Sequence, residues 1–500
     1  MQFCKIADFA DWNDPDFDAI GTLLLLERQG RKNWEYIQVY AGLKALGLLN
    51  GQTRALGLGV GSECLVYALT NVCEQVVATD LYSSANWSTA AMAVEEVYRK
   101  NLFPYQPERL LVQHMDMTQI AFPEASFDFV WSCCSIEHVN SFADLHRVYQ
   151  EIHRVLKPGG IAALTTEYNL SPHHSYEPNM LFTDPYWIEH WLTGAAPDYA
   201  NPKALVQGLE LLDHLQLELT DLPENQPISR FGPQVAMAYY SDNSIITSVA
   251  FFLRKTGDFT CAYSDDWLPN HYRTYLTGCA AHRQKNWPEA ATLFQSLLAD
   301  PTCESDLQVA ASRYLAVQFQ EQNLPAKLTE LAQQMRPLWQ VSQSSDHLLP
   351  IAHRYKRAGL WQEAKPLFER VATMPGARAG QVVRSLIGQA ECCAQVQDFS
   401  TALSLSEKAH GYLPLCFPKD APSVYFHRGF YQEQLGQFES AMADYQFVIE
   451  SAITGPDLRQ NAQNRLNHCL KKLEQVPALS SPSGLTGLRA MGRAVKGWFK

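Results

Sequence analysis

The stretch RALGLGVGSE, residues 54–63, places three glycines on alternate positions, at Gly57, Gly59 and Gly61. An apolar run leads into the glycines, and a run with a helical pattern follows them. A strand that ends in glycines and turns into a helix brings backbone N–H groups close to a ligand, because glycine has no side chain and tolerates positive φ. The stretch therefore predicts either a ligand-binding loop or only a tight turn.

Two nucleotide-binding patterns do not fit this loop. The dinucleotide pattern G-x-G-x-x-G would need its last glycine at position 62 or 64, where Ser62 and Cys64 stand. The phosphate loop of nucleotide hydrolases would need Gly-Lys-Ser/Thr, which does not follow. The loop must therefore be interpreted together with the segments around it.

Composition limits the classes of function. A length of 500 residues predicts two or three domains, and the net charge of −12 argues against a nucleic-acid partner, which would need a basic face. The chain has neither a signal-peptide pattern nor an apolar run of membrane-spanning length. Its 12 cysteines include no C-x-x-C pair, which favours reduced thiols and a cytoplasmic location.

Strand-like and helix-like segments alternate from residue 54 onward. This alternation predicts an α/β doubly wound fold with a seven-stranded, mostly parallel sheet whose last strand is antiparallel. We also expect a helix over 202–215. The predicted strands cover 54–59, 75–80, 110–116, 127–133, 160–167, 234–241 and 244–255.

The first domain resembles the class I S-adenosylmethionine-dependent methyltransferases. Their first motif ends a strand with an acidic residue, then a hydrophobic residue, then Gly-x-Gly. The stretch ALGLGVG fits this motif with Gly57 at the acidic position and with Gly59 and Gly61 as the two glycines. Asp80 ends the second strand, where the family has an acid that accepts hydrogen bonds from the ribose hydroxyls. Asp116-Met117 matches the acid and apolar pair that holds the adenine. FPEASFDFVWSCCSIEHV and VLKPGG match the motifs of the fourth and fifth strands.

The resemblance implies S-adenosyl-L-methionine as the cofactor. Gly57 cannot supply the usual carboxylate, and we expect Glu35 or Glu63 to take its role. The implied cofactor-binding residues are Gly57, Gly59, Gly61, Glu63, Asp80, Leu81, Asp116, Met117, Ser132 and Glu35.

Candidate residues for the methyl acceptor follow the fourth and fifth strands. His138 is a candidate base because histidine titrates near neutral pH, and Glu137 stands beside it. Tyr168, His173 and His174 begin an aromatic insertion, 167–205, and are predicted to bind substrate. Quinone-pathway relatives bind a metal through Glu-x-x-Glu-His here, but Cys134 replaces the first Glu, so no metal site is expected.

A second resemblance concerns a subgroup of these methyltransferases. Trp-Glu-Tyr before the first strand, the Gly-Val-Gly-x-Glu loop and Ala-Thr-Asp-Leu-Tyr after the second strand resemble bacterial methyltransferases linked to surface-glycan biosynthesis. This resemblance implies a small-molecule or glycan-type acceptor.

From about residue 270 the chain resembles tetratricopeptide repeats. Five similar segments begin with an apolar residue at intervals of 37, 37, 38 and 39 residues, which predicts an all-α solenoid that binds a partner protein. An unrelated helical bundle is the alternative. The leading residues are Trp287, Leu324, Trp361, Phe399 and Phe438, and Ala follows three positions later at Ala290, Ala364, Ala402 and Ala441.

The sequence thus predicts four parts. These are an N-terminal segment (1–29), a methyltransferase domain (30–257), helical repeats (270–475), and a linker with a basic amphipathic tail (476–500) that could contact a membrane surface weakly. The expected function is methyl transfer from S-adenosylmethionine. The rival hypothesis is a repeat-based scaffold whose first domain binds cofactor without catalysis or has degenerated.

Overall fold

The structure is a computed structural model that divides into two compact units, Met1–Arg378 and Ala379–Lys500. The first unit contains an α/β domain and six helices, and the second unit is helical. The described residues are 1–28, 30–82, 93–100, 103–171, 188, 192, 206, 208–226, 228–229, 237–241, 244–260, 262–264, 268–342, 344–374, 377–416 and 420–474.

One sheet of ten strands, counted over the described residues, forms the α/β domain. Its order is β4-β3-β2-β5-β6-β10-β9-β8, and β1 and β7 also pair with β10. The strands are β1 (Lys5–Ile6), β2 (Arg54–Leu58), β3 (Gln75–Asp80), β4 (Leu110–His114), β5 (Phe127–Cys133), β6 (Leu156–Asn169), β7 (Leu209–Leu211), β8 (Ile228–Ser229), β9 (Tyr239–Ser241) and β10 (Ser244–Lys255).

The direction of the strands confirms the predicted fold class. Strands β4, β3, β2, β5 and β6 are parallel, and β10 runs antiparallel to β6. The residues of β2, β3 and β5 are nearly all buried, as expected for strands covered on both faces. The strand order reverses between β2 and β5, so a crevice is expected at their carboxyl ends, where the glycine loop lies.

Helices flank the sheet in the first unit. They are α1 (Pro15–Leu23), α2 (Gly30–Ala45), α3 (Cys64–Ala68), α4 (Val94–Lys100) and α5 (Phe142–Val155). Helix α2 packs against β5, β6 and β10, and α5 packs against β6. The Ser141 hydroxyl caps α5 by accepting a hydrogen bond from the Asp144 N–H.

The helix predicted over 202–215 is wrong at its centre. Residues Leu209–Leu211 form β7, which pairs with Leu253–Lys255 at the end of β10. Tertiary pairing overrides the helical pattern there, and Gly208 at φ +87° turns the chain just before the strand. Seven strands were expected and the described residues form ten, because strands of two or three residues carry no periodic signal in the sequence.

Eleven further helices of the described residues follow the α/β domain. In the unit Met1–Arg378 they are α6 (Asn270–Arg283), α7 (Trp287–Ala299), α8 (Ser305–Glu321), α9 (Pro325–Val341), α10 (Ser345–Arg357) and α11 (Trp361–Thr373). In the unit Ala379–Lys500 they are α12 (Ala379–Gln395), α13 (Phe399–Gly411), α14 (Ala421–Gln434), α15 (Phe438–Glu450) and α16 (Pro456–Glu474).

The helices of each unit contact both their neighbours and helices two positions away. In the first unit α8 contacts α6 and α10, and in the second unit α14 contacts α12 and α16. The four repeat alanines are fully buried, as expected where two helices approach closely: Ala290, Ala364, Ala402 and Ala441. This pattern is consistent with an all-helical solenoid, whereas the tetratricopeptide assignment stays a prediction.

No helix of the described ranges combines the length and the apolar character that crossing a membrane requires. The basic tail, 476–500, lies outside the described residues.

Candidate functional site

The glycine loop leaves β2 by a sharp turn. Gly59 and Gly61 have φ values of +64° and +48°, which a residue with a side chain rarely adopts. The Val60 N–H donates to the Thr79 carbonyl at 3.1 Å, and this hydrogen bond fixes the loop against the end of β3. The turn then leads into α3, as the sequence predicts.

Trp131 occupies the space that a side chain at position 57 would need. A Cβ added to Gly57 would lie 2.4 Å from Trp131 Cζ2 and 2.7 Å from Val60 Cγ1. These distances are shorter than a van der Waals contact, and the indole is fully buried. The absence of an acid at Gly57 is therefore a packing requirement of the adjacent strand β5.

Glu63 places a carboxyl group beside the same indole. Trp131 Nε1 donates to Glu63 Oε1 at 2.7 Å, and it is the one hydrogen-bond partner of this carboxyl within the described residues. Burial raises the pKa of Glu63 to about 8, although Lys32 and the Trp131 hydrogen bond oppose the shift. Glu63 therefore lies at the glycine loop as a carboxyl group with acceptor capacity left for a ligand.

Asp80 stands next to the loop at the carboxyl end of β3, where the sequence places it. Its Oδ2 accepts from the Gly61 N–H at 3.0 Å, and its Oδ1 accepts from the Leu81 N–H at 2.6 Å. The Leu81 side chain is exposed beside it. The structure thus brings Asp80, Leu81 and the glycines together.

The predicted adenine pair also lies near the loop. Met117 Cε would be 3.2 Å from a Cβ added to Gly59, so the thioether chain contacts the loop directly. Asp116 is exposed, and its Oδ1 accepts from the Thr118 N–H and hydroxyl, both at 2.8 Å. The apolar side chain of Met117 therefore borders the loop, and the exposed Asp116 precedes it in the chain.

Two serines fasten the loop from β5. The buried Ser132 hydroxyl donates to the Leu58 carbonyl at 2.8 Å, and the Ser135 hydroxyl donates to the Gly59 carbonyl at 2.7 Å. Ser135 was missed by the sequence analysis; the only signal was its place just beyond a strand end. Both hydroxyls hold the loop in shape.

Glu35 is the centre of a buried polar cluster beneath this edge. Burial opposes its ionisation, but Lys32, Arg31 and Ser248 outweigh that effect and lower the pKa of Glu35 below its ordinary value. The five groups that donate to it are Arg31 Nη1 (3.1 Å), Lys32 Nζ (3.0 Å), Cys134 Sγ (3.1 Å), Thr165 Oγ1 (3.0 Å) and Ser248 Oγ (2.6 Å). A carboxylate offers about four lone-pair sites, so these donors fill it.

The turn after β5 and the end of β6 hold two further buried carboxyl groups, on Glu137 and Glu167. Glu137 is buried; its Oε1 accepts from the Glu167 N–H at 3.3 Å, and its Oε2 has no hydrogen-bond partner in the described chain. Arg31 forms an ion pair with Glu167, whose Oε1 also accepts from the Tyr239 hydroxyl at 3.0 Å. Arg31, Glu167 and Tyr239 were not expected from the sequence, because only the fold brings them together.

The remaining candidates occupy different environments. His138 is exposed at the end of the turn, and Tyr168 is buried in β6. His173 and His174 lie outside the described residues. Over the described ranges, no three His, Cys, Asp or Glu side chains are grouped closely enough to hold a metal ion.

The comparisons with known proteins fall on this same domain. Residues 56–164 match the family model described as a methyltransferase domain. The chain is 32% identical over 109 residues to 27-O-demethylrifamycin SV methyltransferase of Amycolatopsis mediterranei (strain S699), a match that covers 22% of this chain and 36% of that protein.

Solved structures overlap with part of the chain. The YcgJ protein from Bacillus subtilis has a TM-score of 0.30 at 13% identity, covering 43% of this chain and 98% of its own. The S-adenosylmethionine-dependent methyltransferase from Mesorhizobium loti has a TM-score of 0.20 at 23% identity, covering 26% of this chain and 52% of its own. The segment 56–164, which runs from β2 into β6, thus matches the methyltransferase-domain family and supports a methyl-transfer function.

Proposed function

We propose that the protein transfers a methyl group from S-adenosylmethionine to a small-molecule or glycan-type acceptor. The observation that carries this proposal is the carboxylate of Asp80, held by hydrogen bonds at the end of β3 and facing the glycine loop. A carboxylate in this place can exchange its two backbone donors for the two hydroxyls of a ribose.

The residues around the loop fit this cofactor. Gly59 and Gly61 leave the backbone bare, and their left-handed conformations turn the chain where a ligand can approach it. Met117 offers an apolar contact beside Gly59, and Asp116 an acceptor for an adenine amino group. When bound, S-adenosylmethionine supplies a methyl group already activated by the positive sulfur, so the protein's part is to bind, orient and exclude water.

Glu63 is our candidate for the carboxylate that Gly57 lacks. It is buried beside Trp131, which fills the position-57 space, and one hydrogen bond leaves it able to accept more. Glu35, the other candidate, is already saturated by five donors. We therefore propose that Glu63 faces the cofactor and that Glu35 holds the scaffold behind it.

Glu137 and His138 are the proposed bases on the acceptor side. Burial, together with Glu167, raises the pKa of Glu137 although His138 opposes the shift, and a carboxyl group with a raised pKa is a better match for moving protons near neutrality. His138 is exposed beside it and would exchange protons with solvent. Tyr168, His173 and His174 remain proposed substrate contacts.

We propose that the helical repeats bind a partner protein. A cleft of about 600 Å³ lies between α9 and α11, with Trp339 and Leu367 among its apolar walls and Arg336, Glu363 and Arg370 among its charged ones. Apolar surface bordered by charges is typical of interaction sites. A cytoplasmic location is proposed as well, and buried reduced thiols such as Cys4, Cys64 and Cys73 support it.

The rival scaffold function has one observation in its favour, which is the missing acid at Gly57. Calorimetric titration of S-adenosylmethionine into the full chain, with a thermal-shift assay beside it, distinguishes a cofactor-binding domain from a degenerate one. Heat of binding and a raised melting temperature exclude a degenerate domain, and turnover of S-adenosylmethionine to S-adenosylhomocysteine then distinguishes the enzyme from a scaffold that only binds the cofactor. Neither heat nor shift would leave the scaffold as the better account.

A further inference from the structure

The sheet edge around the candidate site holds more buried carboxyl groups than cations. Arg31 and Lys32 lie here on α2, and they pair with Glu35 and Glu167. Two more buried carboxyl groups, on Glu63 and Glu137, form no ion pair with Lys or Arg in the described chain. An excess of buried carboxyl groups over cations leaves carboxyl groups with which a cationic ligand can pair.

Glu63 lies at the glycine loop, where the cation of the proposed cofactor would bind. The cofactor does not account for the second buried carboxyl group, on Glu137. It is 1% exposed, and its Oε1 is held by the Glu167 N–H at 3.3 Å. Its Oε2 is buried without a hydrogen-bond partner in the described residues. Buried acceptors are nearly always paired, so this oxygen requires a donor that the described residues do not supply.

Glu167 repeats this arrangement next to Glu137. Its Oε1 is held by Arg31 and Tyr239, while its Oε2 is buried with no hydrogen-bond partner among the described side chains. In each carboxyl group, one oxygen thus accepts a hydrogen bond from the protein, and the other oxygen is left to accept from a ligand. Two neighbouring acceptors of this kind suit a group with several N–H donors and a positive charge.

We infer that the methyl acceptor carries an amine, on a small molecule or an amino sugar, and that this amine donates hydrogen bonds to Glu137 Oε2 and Glu167 Oε2. The inference rests on the proposed methyl-transfer function and names the chemical class of its substrate. Arg31 and Tyr239 are positioning residues, because they fix Glu167 and do not themselves contact the amine.

Methyl transfer to an ammonium group requires that the nitrogen first lose a proton. The bound ammonium gives one proton to Glu137 Oε2, and the nitrogen regains its lone pair. That lone pair forms the new N–C bond as the C–S bond of the cofactor breaks, and the electrons of the C–S bond stay on sulfur. Glu137 then releases its proton to water. The charged and titratable groups that face Glu137 are His138 on its own turn, Cys134 just beyond β5, Glu167 on β6, Lys32 on α2 and Tyr149 on α5.

The test uses the full chain saturated with S-adenosylhomocysteine. Calorimetry compares n-butylammonium chloride with n-butanol, which has a similar size and no charge. We expect n-butylammonium to bind at least tenfold more tightly than n-butanol. Glu137→Gln should abolish this preference, because it replaces an acceptor oxygen by a donor and removes the charge. Glu124→Gln, at an exposed carboxylate before β5, is the matched control and should keep it.

Equal binding of the two probes, or no binding of n-butylammonium, overturns the inference, as does a preference that survives in Glu137→Gln. The affinity for S-adenosylhomocysteine is measured first in every variant, and it also shows that the variant is folded. If the wild-type chain does not bind S-adenosylhomocysteine, the proposed function itself fails. If Glu137→Gln does not fold, Glu167→Gln is measured in the same way with the same expected loss.

Discussion

Glu35 and Glu63 are two buried carboxyl groups at one edge of the sheet, and their surroundings differ. Glu35 accepts from five donors, two of them cationic, and its pKa is lowered despite burial. Glu63 accepts from one neutral indole N–H, and burial raises its pKa to about 8. A buried carboxylate that the chain saturates is part of the scaffold, whereas a buried carboxyl group that the chain leaves under-supplied is available to a ligand.

The two environments support the proposal that Glu63 replaces the acid missing at Gly57. Trp131 takes the space at Gly57 and carries an indole N–H toward Glu63. The Glu35 cluster connects α2 to the turn just beyond β5, to β6 and to β10 through Cys134, Thr165 and Ser248. In the proposed function Glu35 therefore stabilises the fold, and Glu63 faces the cofactor.

The largest expected effect on stability comes from removing the carboxylate of Glu35. Glu35→Ala leaves the partly buried Arg31 and Lys32 without their shared buried partner, and breaking such an ion pair costs up to about 3–5 kcal/mol. Urea unfolding of the full chain, followed by tryptophan fluorescence, measures the loss. Ser248→Ala removes one donor of five and should cost about 1 kcal/mol. Equal small losses in both variants would contradict the scaffold role.

The pH dependence of stability distinguishes Glu63 from Glu35. An ordinary glutamate ionises near 4.5, whereas folded Glu63 keeps its proton to about pH 8. Between these pH values the folded state therefore binds one more proton than the unfolded state. As the pH rises, the free energy of unfolding falls by up to about 1.4 kcal/mol per pH unit. We expect the free energy of unfolding of the wild type, relative to Glu63→Gln, to fall from pH 5 to pH 8 and then level off. Parallel curves would show that Glu63 does not hold this proton.

An acid introduced at position 57 should destabilise the protein unless Trp131 is replaced by a smaller residue. Gly57→Asp forces atoms into the space of Trp131, and overpacking of this kind costs about 1–3 kcal/mol. Combining Gly57→Asp with Trp131→Val opens that space, so stability and S-adenosylmethionine affinity should both recover relative to Gly57→Asp alone. Thermal shift with and without cofactor measures both. Full stability of the single Gly57→Asp variant would contradict the packing account.

The smallest change is Trp131→Phe, which keeps the ring and deletes the indole N–H. Loss of this hydrogen bond should cost about 1 kcal/mol and raise the pKa of Glu63 further, because the hydrogen bond favours the ionised form. The pH at which the stability difference levels off should therefore move upward. An unchanged pH profile would mean that the indole does not influence the carboxyl group.

Much of the site could be predicted from the sequence because it is local to strand ends. Asp80, Asp116 and Met117 follow parallel strands, whose carboxyl ends meet at one edge, so their approach to Gly59 and Gly61 follows from the order of elements. The short strand β7 could not be predicted in this way, because its conformation is decided by pairing with β10.

The choice between Glu35 and Glu63 also could not be made from the sequence. It depends on which donors surround each carboxyl group, and these come from α2, β5, β6 and β10, up to 213 positions away along the chain. For the same reason Glu167 was not recognised, since Arg31 and Tyr239 approach it only in the folded chain.

The most direct test of the central claim is the calorimetric affinity for S-adenosylmethionine of the wild type, Glu63→Gln and Glu74→Gln. Glu74 is an exposed carboxylate at the opposite end of β3 and serves as the matched control. Glu63→Gln can still accept from the indole but cannot ionise when the positively charged cofactor binds, so we predict at least about tenfold weaker binding, or 1.4 kcal/mol, with Glu74→Gln unchanged. Cofactor affinity in Glu63→Gln equal to that of the wild type would contradict the assignment of Glu63 as the replacement for the missing acid.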